Sequence, residues 1–198
     1  MPRPIDPERY EARRQHIIDA ALTRFAADGF HGTSTASICR TAGIGSGTFF
    51  HYFPTKSDVL IAILELGTAE VREFFTSQHG RTDARQVLFD YLGHALDDLR
   101  DERAAGFTRA VGAQISDERV AKALAVHQDT VRTGLRYWVT RARDECTIRT
   151  DLSARSLTTW LMLLIEGFAV AVADFDSFDP RQEQHVLIDT VARFLGPQ

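Results

Sequence analysis

The sequence predicts an all-α protein of about nine helices. Three observations predict it. Apolar residues recur at steps of three and four, as in Ile17, Ile18, Ala21, Leu22 and Phe25, which is the period of a helix face. No stretch alternates apolar and polar residues convincingly enough for a strand. Stop and start signals at Gly29, Gly43, Pro54, His79-Gly80 and Pro180 separate the periodic segments.

The first helix is expected from about Pro7 to Asp28, ended by Gly29. Two short helices then fill the stretch TSTASICRTAGIGSGTFFHYFPTK, residues 33–56. Ser34 and Thr35 can cap the first of them by accepting hydrogen bonds from its free N–H groups. Ala36, Ile38, Cys39 and Ala42 form its small apolar side. Gly43 stands where that helix must stop, because glycine adopts the left-handed C′ conformation at little steric cost. Ile44 is the apolar plug between the two helices, and Gly45 or Ser46 starts the second. Thr55 caps the next helix, which begins near Lys56, carries Val59, Leu60, Ile63 and Leu64, and runs towards Phe75. Further helices are expected near 84–100, 104–114, 117–146, 153–173 and 180–195, with ends good to a few residues.

Two short helices joined by a Gly-containing turn make a helix-turn-helix, whose second helix enters the major groove of DNA. Gly47 has no side chain, so backbone can approach a phosphate or base edge. Thr48, His51 and Tyr52 offer hydrogen bonds, and Phe49 and Phe53 are expected to face inward. Ser34, Thr35, Ala36 and Ser37 lie at the start of the preceding helix, where Ala36 can meet only a thymine methyl or its surroundings. The second helix contains no Arg, so the bidentate Arg–guanine contact cannot arise from its centre. Arg3 and Arg9 either reach a groove or belong to a free tail.

Residues 11–71 resemble the DNA-binding domain of the TetR family of bacterial regulators. The resemblance rests on IIDAALTRFAADGFHGTSTASI together with Gly29, Ala42-Gly43, Gly47-Thr48, the aromatic run Phe49 to Phe53, and Lys56. It implies DNA contacts from Ser34, Thr35, Ala36, Ser37, Ser46, Gly47, Thr48, Phe50, His51, Tyr52 and Lys56, with Lys56 on a phosphate. Two positions depart from the family pattern. Phe50 replaces a Tyr whose hydroxyl reaches a phosphate, and Gly45 replaces a Ser cap. Both changes remove contacts that hold register without reading sequence.

Composition agrees with a specific DNA binder. The 198 residues carry a net charge of −4 and are 44% hydrophobic. Residues 1–56 hold seven Lys/Arg against five Asp/Glu, and the remainder holds 16 against 22. A mildly positive head on an acidic body suits modest phosphate attraction and argues against a nonspecific coater. Cys39 and Cys146 make no disulfide framework. The opening residues show no secretory signal. The apolar stretch Trp160–Ala173 is interrupted by Glu166 and is too short for a membrane span. These features predict a cytoplasmic protein with no membrane partner.

The region 72–198 follows an arm at 1–10 and the head at 11–71. The resemblance implies that it binds a small-molecule effector and dimerises. Its large side chains are candidates for a chamber: Phe89, Tyr91, Leu92, Phe107, Val111, Leu124, Trp138, Trp160 and Phe168, with Gln114, His127 and Gln128 as polar contacts, and His94 and Met162 among the neighbours. Each aromatic is equally readable as core. Leu157, Leu161, Leu164 and Phe168 form one stripe and Leu187, Val191 and Phe194 another. Each stripe either fills its own subunit's core or, as the resemblance implies, pairs with a second copy in a four-helix bundle.

Other chemistries lack their motifs. Gly45-Ser46-Gly47 is not a nucleophile turn, because G-x-S-x-G needs Gly at Ile44 and a preceding strand. GIGSGT is not a dinucleotide loop, and no βαβ unit surrounds it. The seven histidines are scattered without metal-ligand spacing. The sequence predicts no enzyme, no cofactor and no metal. The resemblance implies a ligand-responsive homodimeric repressor that binds a palindromic double-stranded operator and is released by a small apolar or aromatic effector. An effector-independent DNA-binding activator or accessory factor is the alternative.

Overall fold

Asp6 starts the first helix, its side chain accepting from the backbone N–H groups of Glu8 and Arg9, with Pro7 at the position that needs no donor. The computed structural model describes residues 6–175 and 177–196. Among them are nine helices and no strand. They are α1 (Pro7–Gly32), α2 (Thr35–Thr41), α3 (Ser46–Tyr52), α4 (Lys56–Ser77), α5 (Ala84–Asp98), α6 (Ala104–Gly112), α7 (Glu118–Asp144), α8 (Ala154–Asp174) and α9 (Pro180–Leu195). Residues 7–10, expected as part of an arm, are the first turn of α1, which places Arg9 on a helix. Arg3 lies outside the described residues.

Gly29 does not end α1 but kinks it at φ +67°, and the helix continues one short turn further. The Thr33 hydroxyl lies 2.7 Å from the Gly29 carbonyl and satisfies it at the kink. A Schellman arrangement closes α2: the Ile44 N–H donates to Cys39 and the Gly43 N–H to Arg40, with Gly43 at φ +60°. Ser34 and Ser37 form a reciprocal capping box at the start of α2, as do Thr55 and Asp58 at the start of α4.

Two hydrophobic cores result. Ile17, Phe25, Ile38, Phe49, Val59 and Leu60 fill the first, joined by Ala110 of α6 and Val120 of α7. Val71, Phe75, Leu88, Trp138, Leu157 and Leu195 belong to the second. Helix α4 is continuous across position 71/72 and contributes to both cores. Helix α1 packs on α6, α4 on α7, and α6, α7 and α9 on α8. The head is therefore seated directly on the helices of the body.

The stripes expected at a dimer interface are internal. Leu157, Leu161, Phe168, Leu187 and Val191 are all buried within the chain's own core, and Leu164 and Phe194 pack against it. The outward face of α8 is a different stripe, Trp160, Leu163, Gly167 and Val170, with Trp160 and Leu163 each 51% exposed. Helix α8 is apolar on both sides because the inner side fills a core and the outer side is open. Its 21 residues are long and apolar enough, by length and composition, to cross a membrane. The apolar stretch is therefore not too short for a span. What marks α8 as the wall of a folded body is its packed inner face.

Candidate nucleic-acid interface and effector cavity

Helix α3 is held by its inward aromatics. Phe49 is fully buried and Phe53 nearly so, which turns Ser46, Gly47, Thr48, Phe50 and His51 outward, all of them exposed. Gly45 caps α3 without a side-chain bond. Tyr10 of α1 stacks on Tyr52 at 4.6 Å and meets His51 edge-on at 6.2 Å. His16 Nε2 lies 2.8 Å from the Ala42 carbonyl. A carbonyl only accepts, so the proton is on Nε2 and satisfies the end of α2. Tyr10 and His16 position the unit, and neither was singled out from sequence. Their signal is weak, an aromatic and an imidazole on an otherwise polar flank of α1. Ser34 and Ala36 are exposed at the start of α2, Thr35 and Ser37 half-buried. The Ser34 and Ser37 side chains are occupied with each other's backbone.

Lys56 points inward rather than out to a phosphate. Its Nζ donates to the carbonyls of Phe30 at 2.7 Å and Thr33 at 2.8 Å and sits 4.3 Å from the centre of the Phe30 ring. The kink of α1 leaves those carbonyls without helical partners, and the ammonium is the nearest donor of their charge type. Burial lowers its pKa. One N–H remains for a phosphate. Lys56→Ala is therefore expected to cost about 2 kcal/mol of stability, the worth of hydrogen bonds to a charged group, read as a lower Tm. An unchanged Tm with a salt slope smaller by about 1 per protomer would instead make Lys56 a pure phosphate contact. Next to it, Asp58 ties the head to the body by pairing with Arg119 of α7. Burial alone would raise the Asp58 carboxyl, but hydrogen bonds from Arg119 and Thr55 and the Arg119 charge outweigh it and hold it below its ordinary value. A depressed carboxyl stabilises the fold above its unfolded pKa of about 4, and that contribution is lost as pH falls through the folded value.

Phe50 is 52% exposed. Phe50→Tyr is expected to leave the Tm unaltered and to tighten DNA binding by up to about 1 kcal/mol through a new hydroxyl. Equal or weaker affinity would place this ring off the duplex.

A cavity of about 480 Å³ lies in the body, within the range that holds small ligands. Each wall is one helical stripe. Tyr91, His94, Ala95 and Asp98 come from α5, Phe107 and Val111 from α6, and Leu124, His127, Gln128 and Val131 from α7. Met162, Ile165 and Glu166 come from α8, and Ile63, Leu64, Gly67 and Val71 from α4. Of the expected chamber residues it brings together Tyr91, Phe107, Val111, Leu124, His127 and Gln128. It leaves the others elsewhere. Leu92 and Trp138 are in the second core. Phe89 lies under Arg85. Phe168 packs on Phe178. Gln114 meets the His31 ring at 3.2 Å. Trp160 faces outward. Trp138 and Phe168 fill the second core instead, because large side chains close space where helices meet. Asp98 and Glu166 were missed. Their signal was a carboxylate at helical spacing from Tyr91 and Met162, on a face otherwise apolar.

The profile of the family described as bacterial regulatory proteins, tetR family, matches residues 17–63, which span α1 to the first half of α4. The HTH-type transcriptional repressor AcnR of Corynebacterium glutamicum is 24% identical over 181 residues, covering 91% of this chain and 92% of that protein. Residues 17–63 therefore match the DNA-binding region of the TetR family. Solved structures with the same fold include the regulator FadR from Bacillus subtilis, crystallised with stearoyl-CoA. Its TM-score is 0.77 and its identity 18%, over 91% of this chain and 98% of that one. A TetR transcription regulator from Haloarcula marismortui reaches 0.79 with 19% identity, over 93% and 97%. The curated relatives it matches are HTH-type transcriptional regulators. At these identities the structural likenesses speak for the fold alone.

Proposed function

We propose that the chain is a homodimeric repressor of a palindromic operator, released from DNA when a small apolar or aromatic molecule enters the cavity. One observation carries the reading: α4 begins at Lys56, beside the reading unit, and its residues Ile63, Leu64, Gly67 and Val71 wall the cavity. A ligand that needs more room there must push on the helix that sets the position of α2 and α3. It releases DNA only if it binds the displaced arrangement better than the DNA-bound one.

On DNA, Ser46, Gly47, Thr48, Phe50 and His51 of α3 enter the major groove. Ser34, Thr35, Ala36 and Ser37 approach the flanking backbone, and Tyr52 and Lys56 hold the unit in register. Two copies about 34–36 Å apart read successive turns of one face. The open stripe Trp160, Leu163, Gly167 and Val170 of α8, with Val186 of α9, is the surface on which the second copy packs. Such a regulator works in the cytoplasm, where its DNA is. The name of AcnR, a transcriptional repressor, supports repression over activation. Selection of bound sequences from random DNA, followed by release assays with small molecules, tests the reading. Enrichment of an inverted repeat is the expected result, and no enrichment at low salt overturns it.

A further inference from the structure

The side chains of the cavity lining that carry a full charge are of one sign. Two carboxylates, Asp98 and Glu166, line it, and among the described residues no Lys or Arg does. Both carboxylates retain solvent access, so they stand at its open side, while Tyr91 and Val131 are buried in its wall. Burial raises the Tyr91 phenol, and the charges of Asp98 and Glu166 raise it further, so both carboxylates act on one point. The cation whose field reaches Glu166 is Arg132, which pairs with Asp129 and is outside the lining.

The histidines add acceptors. The Thr68 hydroxyl donates its one proton to the Leu64 carbonyl at 2.7 Å, so its 3.3 Å contact with His127 must be Nδ1–H donating to Oγ1. Neutral His127 then carries a free lone pair on Nε2. Burial lowers the His127 pKa, against the opposing charge of Asp98, which keeps the ring neutral. His94 Nε2 is buried and has no hydrogen-bond partner among the described residues. It is an unmet polar atom in the wall, and a ligand group can satisfy it.

We propose that the molecule this cavity takes is a lipophilic amine. Its apolar body lies against Phe107, Val111, Leu124 and Met162, and its protonated nitrogen is met by Asp98 and Glu166 at the open side. An anion in the same place faces two carboxylates with no compensating cation, which is a built-in rejection. An under-solvated carboxylate gains more from an incoming cation than a fully hydrated one does. The Tyr91 and Phe107 rings offer faces that attract the same charge.

The inference rests on the cavity being the effector site, and the test separates the two. Decylamine, decanol and decanoate share one tail and differ in head charge. Calorimetric titration of the full chain should rank them in that order, with the amine ahead of the alcohol by about tenfold, the sum of two exposed ion pairs. In the Asp98→Asn/Glu166→Gln variant, which keeps shape and removes charge, the three should converge. Leu124→Trp, which fills the cavity, should abolish all three. Decanoate binding as tightly as decylamine, an amine preference that survives in the double variant, or no binding by any of the three overturns the proposal. Release of operator DNA is scored in parallel. Equal binding of all three with release rejects the charge preference and leaves regulation standing. Amine-selective binding without release does the reverse.

Discussion

Gly106→Ala is expected to lower Tm by several degrees and to weaken operator binding. A Cβ at position 106 falls 2.1 Å from the Ala26 carbonyl oxygen and 2.7 Å from that residue's carbonyl carbon and Cα. These are backbone atoms of α1, so no rotamer relieves the contact, and α1 and α6 must part. Alanine gains about 1 kcal/mol of helix propensity over glycine. Forced overpacking costs about 1–3 kcal/mol even where side chains can yield, and here they cannot, so the clash wins. A net loss near 2 kcal/mol corresponds to roughly 4–8 °C in a chain of this size. The effect on DNA follows from position, because the α1–α6 contact seats the head on a wall of the cavity. Gly112→Ala is the control. It lies on the same helix with nothing within 4 Å of its Cβ position and should leave affinity where it was and Tm no lower than wild type. Wild-type melting of Gly106→Ala would mean that the two helices do not meet as described.

Trp160→Glu with Leu163→Glu is expected to give a folded monomer that binds a full operator about 10²–10⁴-fold more weakly, the range lost when two linked sites become independent. Both side chains are half exposed in the single chain, and surface changes of that kind shift stability by no more than about 0.5 kcal/mol. The far-ultraviolet circular dichroism should therefore match wild type while sedimentation moves from dimer to monomer. Leu157→Glu and Leu161→Glu, one helical step away, put a charge at positions 0% and 3% exposed and should unfold the body instead. A double variant that remains dimeric, or holds a two-site operator as tightly as wild type, would place the interface elsewhere.

The reading unit was legible because its determinants are local. Gly43 at a C′ position, the Ser34 and Thr55 caps and the Phe49/Phe53 spacing act within a few residues of themselves. The carbonyl partners of Lys56 were not legible because Phe30 and Thr33 lie 26 and 23 positions earlier and exist as free acceptors only once α1 has kinked. That Leu157 and Leu161 are core residues was hidden for a related reason. Leu157, Leu161 and Leu164 and, on the other side, Trp160, Leu163 and Val170 both fall at helical spacing, and no sequence rule ranks two apolar faces of one helix.

From the chain alone came the helices, the turn that makes two of them a helix-turn-helix, and the resemblance of its first part to the TetR family. Each depends on backbone preferences that neighbouring residues set by themselves. Only the folded arrangement decided which aromatics are core and which line a void, which face of α8 is open, and that two acidic side chains share one cavity whose lining, among the described residues, holds no Lys or Arg. Those facts depend on where separate helices meet. Burial is a property of the whole assembly of helices, and a side chain does not carry it until the others have packed.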